Sequence, residues 1–559
     1  MSTLRFSVRR LLLAAIAGPL AFSTAARGQA TVTWSGGNST WSQPDTDSFN
    51  SPYASGDTAV FAGAGQGTVT IGSGVTPGQV NVTNGSYTFS GGLGGSTATS
   101  GLTKTGTGTL TLSGVANTYQ GTTTVSGGTL VLSKGNNVIA VPGNLVIEDA
   151  VVRFGIGNNF NNQIASTAAV TMSGSTAGFN GIGFADFNLS NFELSQTLAS
   201  FTVTGGVVNT NNASSATGLT ITGAGSITGG AGNTDFWYGS GGLGSFGSLS
   251  LVGMTGTALN PGAAAPNSFR LFGNNATRQT QVTIGSGGLS LDGSNILLAL
   301  GAEAGRLGSR IVLNGNVTTS GSSASSIMPP SGDSGSFGTR QVALSSTAGS
   351  VTRTFTTGGG GADLTVSVAI TNGSATTAGL TKAGAGTLTL SAANTYNGST
   401  TVSEGRLLVS GTLGNTAVSV SSAARLGGTG SLGGTLSFAT DSFLEVVDFS
   451  DPLAVTGSTS FGTGFGVTNL AGIDWGSLDL DTSYNILSTT QQFSAANITN
   501  FGFDNRVGVD GGREAYFTSL SSGLQVVVVP EPGAVLVAGL GLAAAAAAAL
   551  LRRRRLQAA

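Results

Sequence analysis

Apolar and polar residues alternate along the body of the chain with a period of two, which is the pattern of half-buried β-strands. In the segment that begins at Gly101 (GLTKTGTGTLTLSGVANTYQGTTTVSGGTLVLS), Leu110 and Leu112 point to one side while Thr109 and Thr111 point to the other. β-Branched threonine suits the outer face of a strand, and glycine and asparagine supply turns. We therefore predict that the leucines are buried and that Thr109 and Thr111 are exposed.

The same pattern returns at Gly379 (GLTKAGAGTLTLSAANTYNGSTTVSEGRLLVS), with one deletion opposite Gly114 and Val115. Lys104 and Lys382 occupy equivalent positions, so a structural role is expected for both before a catalytic one. Across the two repeats, the residues predicted to be buried are Leu110, Leu112, Leu130, Leu132, Leu388, Leu390, Leu407 and Val409.

Weaker copies lie between and after the two repeats, and helical periodicity is nearly absent outside the termini. Short strands with frequent turns fit a sandwich, a barrel or a solenoid, and internal repeats without a domain-sized linker favour the solenoid. We predict stacked parallel strands over residues 31–529, with strong repeats at 101–133 and 379–410. Coils of roughly 20–25 residues at ~4.8 Å spacing would form a rod on the order of 100 Å long.

The repeat resembles the autotransporter-associated β-strand repeat, because GLTKxGxGTLTLS followed by NTYxGxTTVSxGxL occurs in both copies. This resemblance implies an all-β fold that is a single long right-handed parallel β-helix, as in secreted passenger domains. Autotransporters end in an outer-membrane barrel, whereas this chain ends in a different tail. Export through a barrel of its own is therefore not implied.

The two ends of the chain have the composition of targeting segments. Residues 1–30 place Arg5, Arg9 and Arg10 before an apolar run and small residues, which predicts a secretory signal peptide with a signal helix. Residues 530–559 hold Pro-Glu-Pro, an uncharged run over 534–551 and a basic cluster, in that order. The run predicts one hydrophobic helix long enough to cross a membrane.

This tail resembles the PEP-CTERM sorting signal. The residues that carry the motif are Pro530, Glu531, Pro532, Arg552, Arg553, Arg554 and Arg555. The resemblance implies recognition by an exosortase-type membrane enzyme and removal of the tail, and a plain membrane anchor is the alternative. The prolines break regular structure before the helix, and the arginines should stay on the cytoplasmic side of the membrane.

Composition restricts the chemistry of the chain. With no cysteine and no histidine, it has no disulfide, no thiolate and no Ser-His-Asp triad. The chain has 92 glycines, yet its mean hydropathy of +0.23 is too high for a disordered chain. The predicted mature chain keeps 14 of the 22 basic residues and all 24 acids, a formal charge of −10 that argues against a nucleic-acid partner.

No motif in the body makes a convincing catalytic, cofactor or metal site. Gly428–Gly433 matches GxGxxG, but a strand pattern follows it where a dinucleotide site needs a helix. Ser334 lies in a protease-like GDSG sequence without a histidine partner, and Gly358–Asp363 is half of a calcium-binding nonapeptide. Acids cluster late in the chain and are expected to form a solvated rim; they are Asp441, Glu445, Asp448, Asp451, Asp474, Asp479 and Asp481.

The sequence thus predicts a secreted or cell-surface structural or adhesive protein that is not an enzyme and holds no cofactor. Its expected partners are an exosortase, the inner membrane through the C-terminal helix before processing, and a polysaccharide of the exopolysaccharide or cell envelope. The alternative is a β-helical polysaccharide lyase or hydrolase that uses the late carboxylates.

Overall fold

The chain winds into a parallel β-solenoid, described here from a computed structural model. The structure describes residues 28–155, 160–174, 186–188, 195–210, 218–230, 234–239, 242–258, 267–273, 278–300, 304–333, 337–531 and 544–550. Within these residues the strands form three sheets, two of which run from the first coil almost to the last. The predicted fold class is confirmed, and the right-handed sense of the coil stays a prediction.

The first sheet holds 23 strands. They are β1 (Thr31–Thr33), β3 (Thr58–Ala62), β5 (Gln79–Asn84), β7 (Gly101–Lys104), β9 (Thr123–Val125), β11 (Leu145–Glu148), β13 (Ala169–Ser173), β15 (Gln196–Leu198), β16 (Ser200–Val203), β18 (Leu219–Thr228), β20 (Leu243–Val252), β22 (Thr280–Ile284), β23 (Leu289–Asp292), β25 (Ser309–Leu313), β26 (Val317–Ser320), β28 (Arg340–Ala343), β29 (Ser350–Thr356), β31 (Ala369–Thr371), β32 (Thr377–Ala383), β35 (Thr400–Val402), β38 (Val418–Val420), β41 (Leu436–Phe438) and β44 (Thr459–Phe461).

The second sheet lies opposite the first, and each of its strands pairs in parallel with the next. They are β2 (Ser39–Trp41), β4 (Gly67–Ile71), β6 (Tyr87–Ser90), β8 (Thr109–Ser113), β10 (Thr129–Ser133), β12 (Val151–Phe154), β14 (Asp186–Asn188), β17 (Val207–Asn209), β19 (Asp235–Tyr238), β21 (Ser268–Phe272), β24 (Asn295–Ala299), β27 (Ser325–Met328), β30 (Leu364–Val366), β33 (Thr387–Leu390), β36 (Arg406–Val409), β39 (Arg425–Gly427), β42 (Phe443–Glu445) and β45 (Leu470–Ala471).

The third sheet covers only the C-terminal part of the solenoid. Its strands are β34 (Ala393–Asn394), β37 (Thr412–Leu413), β40 (Ser431–Leu432), β43 (Ala454–Val455), β46 (Thr482–Thr489), β47 (Val507–Val509), β48 (Arg513–Leu520) and β49 (Gly523–Pro530). Single 3-10 turns occur at Val467–Asn469, Trp475–Ser477 and Phe503–Asn505, and residues 544–550 form an α-helix.

Like residues stack on like residues from coil to coil, and this stacking builds the core. Leu110 on β8 pairs with Leu130 on β10, and Leu112 pairs with Leu132. All eight aliphatic residues that the sequence predicts to be buried have no exposed surface, which confirms the inward face. With strand spacing of about 4.8 Å, the eighteen strands of the second sheet span about 80 Å.

The predicted exposure of Thr109 and Thr111 is wrong, since both side chains are half-buried rather than exposed. Each lies on the outer face as expected, but a strand runs on either side of it. Thr111 pairs with Thr88 in the preceding coil and with Val131 in the following one. Neighbours at about 4.8 Å on both sides cover part of any side chain in the middle of a parallel sheet.

The cross-section of the solenoid changes along the chain. Coils near the first repeat carry two strands each, and Thr123 pairs with Leu145 after 22 residues. From β15 to β32 the first sheet is two strands wide, and Gln281 pairs with Arg310 after 29 residues. After β34 each coil contributes to three sheets in as few as 18 residues, the distance from Thr401 to Ser419.

A buried asparagine and a buried tyrosine shape the same corner in both repeats. Asn117 accepts a hydrogen bond from the Leu93 amide (2.9 Å) and donates one to the Ala140 carbonyl (2.7 Å), so its amide joins three coils. The Tyr119 hydroxyl lies 2.6 Å from the Thr123 hydroxyl, the polar group that β9 points inward. Asn394, Tyr396 and Thr400 repeat this arrangement in the second repeat.

The two ends of the solenoid are closed in different ways. At the N-terminal end an aromatic cluster fills the first coils, where Trp34 stacks on Phe61 with ring centroids 5.4 Å apart. At the C-terminal end β46, β49, β48 and β47 pair antiparallel. The prediction of parallel strands up to residue 529 is therefore wrong for this cap. A hairpin returns the chain on itself, so that the last parallel coil does not present a long unpaired edge.

The buried tyrosines predict a loss of stability at alkaline pH. Burial raises the pKa of Tyr53, Tyr119, Tyr238 and Tyr396 above the ordinary value of 10.0. In the unfolded chain these hydroxyls ionise near pH 10, whereas the folded chain keeps them protonated. The unfolded state therefore binds fewer protons there, and the free energy of unfolding should fall as pH rises above about 10. Urea titrations at several pH values measure this slope.

Replacing Tyr119 and Tyr396 by phenylalanine should reduce the slope of this alkaline loss. The double variant removes two of these buried phenols and leaves the aromatic packing in place. A slope equal to that of the unchanged protein would contradict the assignment of the loss to these side chains.

Candidate functional site

A column of hydroxyl and amide side chains runs along the outer face of the first sheet. Each member pairs with the next across neighbouring coils, in the order Asn81, Thr103, Thr124, Val146, Thr171, Thr202, Ser226, Ser250, Ser290 and Thr318. Val146 is the one apolar member of this series. At about 4.8 Å per coil, the column places polar groups at regular intervals over about 40 Å.

A groove with a volume of ≈ 620 Å³ lies beside the N-terminal part of this column. Its lining residues come from five successive coils, from that of β5 to that of β13, which places strand β7 and strand β9 on its floor. They are Gln79, Ala98, Thr99, Thr103, Gln120, Gly121, Thr122, Thr124, Pro142, Gly143, Asn144, Thr167 and Ala168. No carboxylate, guanidinium, ammonium or aromatic ring belongs to this lining.

Hydrogen bonds to the solenoid hold the polar side chains of the groove in place. Gln79 accepts a hydrogen bond from the Gly101 amide (3.2 Å) and donates one to the Thr103 hydroxyl (3.0 Å). Asn144 accepts one from the Ala169 amide (2.9 Å). Amides and hydroxyls both donate and accept hydrogen bonds, so the groove suits a ligand rich in hydroxyl groups. It offers no charge with which to bind an ion.

All three lysines of the chain are buried, and each ammonium is surrounded by backbone carbonyls. The Nζ of Lys104 donates to the carbonyls of residues 105, 106, 107 and 127 at 2.7–3.4 Å. Lys382 donates to those of residues 383, 384 and 404, and Lys134 to those of residues 91, 113 and 115. Each lysine thus donates hydrogen bonds to carbonyls that cluster at the end of a strand.

Burial lowers the pKa of Lys134 and Lys382 to about 8 and lowers that of Lys104 as well. For Lys382, the charges of Glu404 and Asp363 oppose this effect. The ammonium form still predominates at neutral pH, and its hydrogens point to carbonyl oxygens. The equivalent positions of Lys104 and Lys382 therefore have the structural role that the sequence predicts.

The late acids do not converge on one site. Asp441, Asp448, Asp451, Asp474, Asp479 and Asp481 are exposed, whereas Glu445 is buried. Asp448 accepts hydrogen bonds from the amide and hydroxyl of Ser450 (2.7 Å each), which lower its pKa, and Asp474 accepts one from the Gly476 amide. Among the described residues, no three acids come together as a metal site. The expected solvated rim is wrong for Glu445, which lies beside Arg406 and Arg425.

The other candidate motifs fall on structural turns where the structure describes them. Gly428–Gly433 is followed by strand β41, as the sequence predicts, so no helix N-terminus faces its glycines. Asp363 accepts a hydrogen bond from the Thr387 amide (2.6 Å). Ser334 lies outside the described residues.

The predicted targeting segments lie mostly outside the described residues, which exclude residues 1–27, Pro532 and Arg552–Arg555. Strand β1 begins at Thr31, Pro530 ends strand β49, and Glu531 is exposed. Of the predicted hydrophobic helix, residues 544–550 are described as α-helical and fully on the outside. Within the described part of the chain, no helix has both the length and the apolar character to cross a membrane.

Comparison with known families agrees with the two strong repeats. The passenger-associated-transport-repeat model matches residues 102–132 and 380–409, which form β7–β10 and β32–β36. Both segments lie within the ranges predicted from the sequence. A comparison with curated proteins found no match, and a comparison with solved structures found none either. The fold and the repeats together indicate a β-helical protein of the secreted or surface class.

Sequence reasoning did not find the groove. Thr103 and Thr124 belong to the first repeat, but Gln79 and Asn144 lie outside it and reach the same groove from neighbouring coils. One feature of the sequence could have indicated it. Gln79, Thr103, Thr124 and Asn144 are spaced by about one coil length, and this spacing aligns outward polar residues on neighbouring coils.

Proposed function

We propose that this protein is a structural or adhesive β-solenoid of the cell surface that binds polysaccharide through the groove and polar column of its first sheet. The observation that carries the proposal is the groove of ≈ 620 Å³, lined by threonine, glutamine and asparagine from five coils. A linear glycan can lie along such a face and hydrogen-bond at each coil.

The absence of charge in the groove lining favours an uncharged glycan over an acidic one. Burying a carboxylate there without a cationic partner would cost free energy, whereas hydroxyl groups find donors and acceptors on the groove wall. The rigid backbone of stacked coils keeps these partners in place before binding, which lowers the entropy cost of recognition.

We further propose that an exosortase-type enzyme sorts the protein through residues 530–559. The order of Pro-Glu-Pro, apolar run and arginine cluster supports this proposal, and the helix over 544–550 exposes all seven of its described side chains rather than packing them on the solenoid. Before processing, this segment would hold the chain in the inner membrane while the solenoid faces outward.

In a host with an exosortase, the surface-exposed protein should end near Pro532. Cleavage there removes the apolar run and the arginines, so the released chain no longer carries a membrane segment. Intact-mass analysis of the surface fraction measures the C-terminus directly. A released, extracellular form that still carries Arg552–Arg555 would contradict processing and would favour the alternative that the tail is a plain membrane anchor.

Removing the hydroxyls of Thr103 and Thr124 should weaken binding of a neutral glucan by roughly two- to tenfold per position, since a net hydrogen bond contributes about 0.5–1.5 kcal/mol. Thr103→Val and Thr124→Val keep the β-branched shape. Affinity electrophoresis in gels with dextran or a soluble β-glucan measures the effect, and reducing-end assays on the same mixtures should detect no cleavage.

The second repeat supplies the matched control. Thr381→Val and Thr401→Val are the equivalent changes on β32 and β35, away from the groove, and should leave binding unchanged. An equal loss in both pairs of variants, or no glucan binding by the unchanged protein, would contradict the groove as the binding site. Release of reducing ends that Asp448→Asn or Asp479→Asn abolishes would favour the enzyme alternative.

A further inference from the structure

Two arginines stand next to each other on the outer face of the second sheet, away from the groove. Arg406 on β36 pairs with Arg425 on β39, and Arg425 pairs with Phe443 on β42. The side chains of Arg406 and Arg425 are 39% and 49% exposed. Arg425 also lies over the Phe443 ring, 5.4 Å from its centroid, which restrains its guanidinium.

A single carboxylate lies between the two guanidiniums. The Oε1 of Glu445 is 3.4 Å from Arg406 and its Oε2 is 3.8 Å from Arg425, and its side chain is 8% exposed. Gly427 makes room for it, because a Cβ at that position would lie 2.6 Å from the Cβ of Glu445. Two cations therefore share one anion.

Among the described residues, the two guanidiniums make ion-pair contacts with Glu445 and no hydrogen bond. Both distances to Glu445 are long for charge-assisted hydrogen bonds. The Nε of Arg406 and the Oε2 of Glu445 are buried, and neither has a hydrogen-bond partner. Other arginines form hydrogen bonds within the protein. Arg310 donates to Gln281 (2.6 Å), and Arg353 donates to two backbone carbonyls (2.8 and 2.9 Å). Guanidinium groups with free N–H donors, held side by side, are the arrangement that binds oxyanions.

We propose that Arg406 and Arg425 form a binding site for an oxyanion, such as the carboxylate of a uronic acid or a sulfate or phosphate group. The oxyanion accepts hydrogen bonds from both guanidiniums on the solvent side, while Glu445 holds them from the buried side. This site is independent of the groove on the first sheet, and its ligand is anionic whereas that of the groove is neutral.

The test measures binding of oligogalacturonate to the full chain by titration calorimetry. A neutral maltooligosaccharide, which can occupy only the groove, is titrated as the comparison, and its binding should not respond to changes at Arg406 or Arg425. Inorganic sulfate and inorganic phosphate are titrated separately and distinguish the sources of the oxyanion. Arg406→Gln and Arg425→Gln should each weaken binding of the preferred oxyanion about tenfold, as loss of a charge-assisted contact predicts. Binding should also weaken as salt concentration rises.

Two further variants keep the result interpretable if an arginine change disturbs folding. Glu445→Gln removes the competing negative charge and should strengthen binding, whereas a purely structural ion pair predicts no gain. Arg153→Gln, at an exposed arginine of β12 on the same outer face, should change nothing. Failure of every oxyanion to bind, equal affinities for all variants, or weaker binding by Glu445→Gln would overturn the proposal, and none of these results bears on the glucan groove.

Discussion

The parallel backbone ladder between successive coils is the interaction on which the rest of the structure depends. Each strand finds its hydrogen-bond partners only in the coils before and after it, so the register of one pair fixes the next. Stacked positions then carry similar residues, as in the inward column Leu364, Leu388, Leu407, Leu426 and Leu444. The same register that builds the core also aligns the polar column on the outside.

The backbone ladder is interrupted at the corners, and buried polar side chains supply hydrogen bonds there. Lysine ammonium groups donate to carbonyls that cluster at the corners, the asparagine at position 117 or 394 joins neighbouring coils, and a tyrosine hydroxyl pairs with an inward threonine. All three lysines of the chain donate to carbonyls in this way. The surface consequently has few cations, which makes the exposed arginine pair at 406 and 425 distinctive and leaves the groove uncharged.

The sequence was sufficient where the pattern repeats. Period two identified the strands and all eight buried aliphatic residues, and the copied motif located both matches to the repeat family. It could not show that the first sheet becomes two strands wide from β15 to β32, because the coils there share no motif. It also could not show the groove or the burial of Glu445, since each depends on which residues of distant coils become neighbours.

Cross-linking of engineered cysteines tests the coil register most directly, because the chain has no cysteine of its own. Thr111 and Val131 are paired in neighbouring coils, so Thr111→Cys with Val131→Cys should form a disulfide under mild oxidation. Thr111→Cys with Thr129→Cys places the cysteines on the same face, but with Cα atoms about 8 Å apart, too far for a disulfide. Efficient cross-linking of the first pair alone is the predicted result, and efficient cross-linking of the second pair alone would contradict the parallel register.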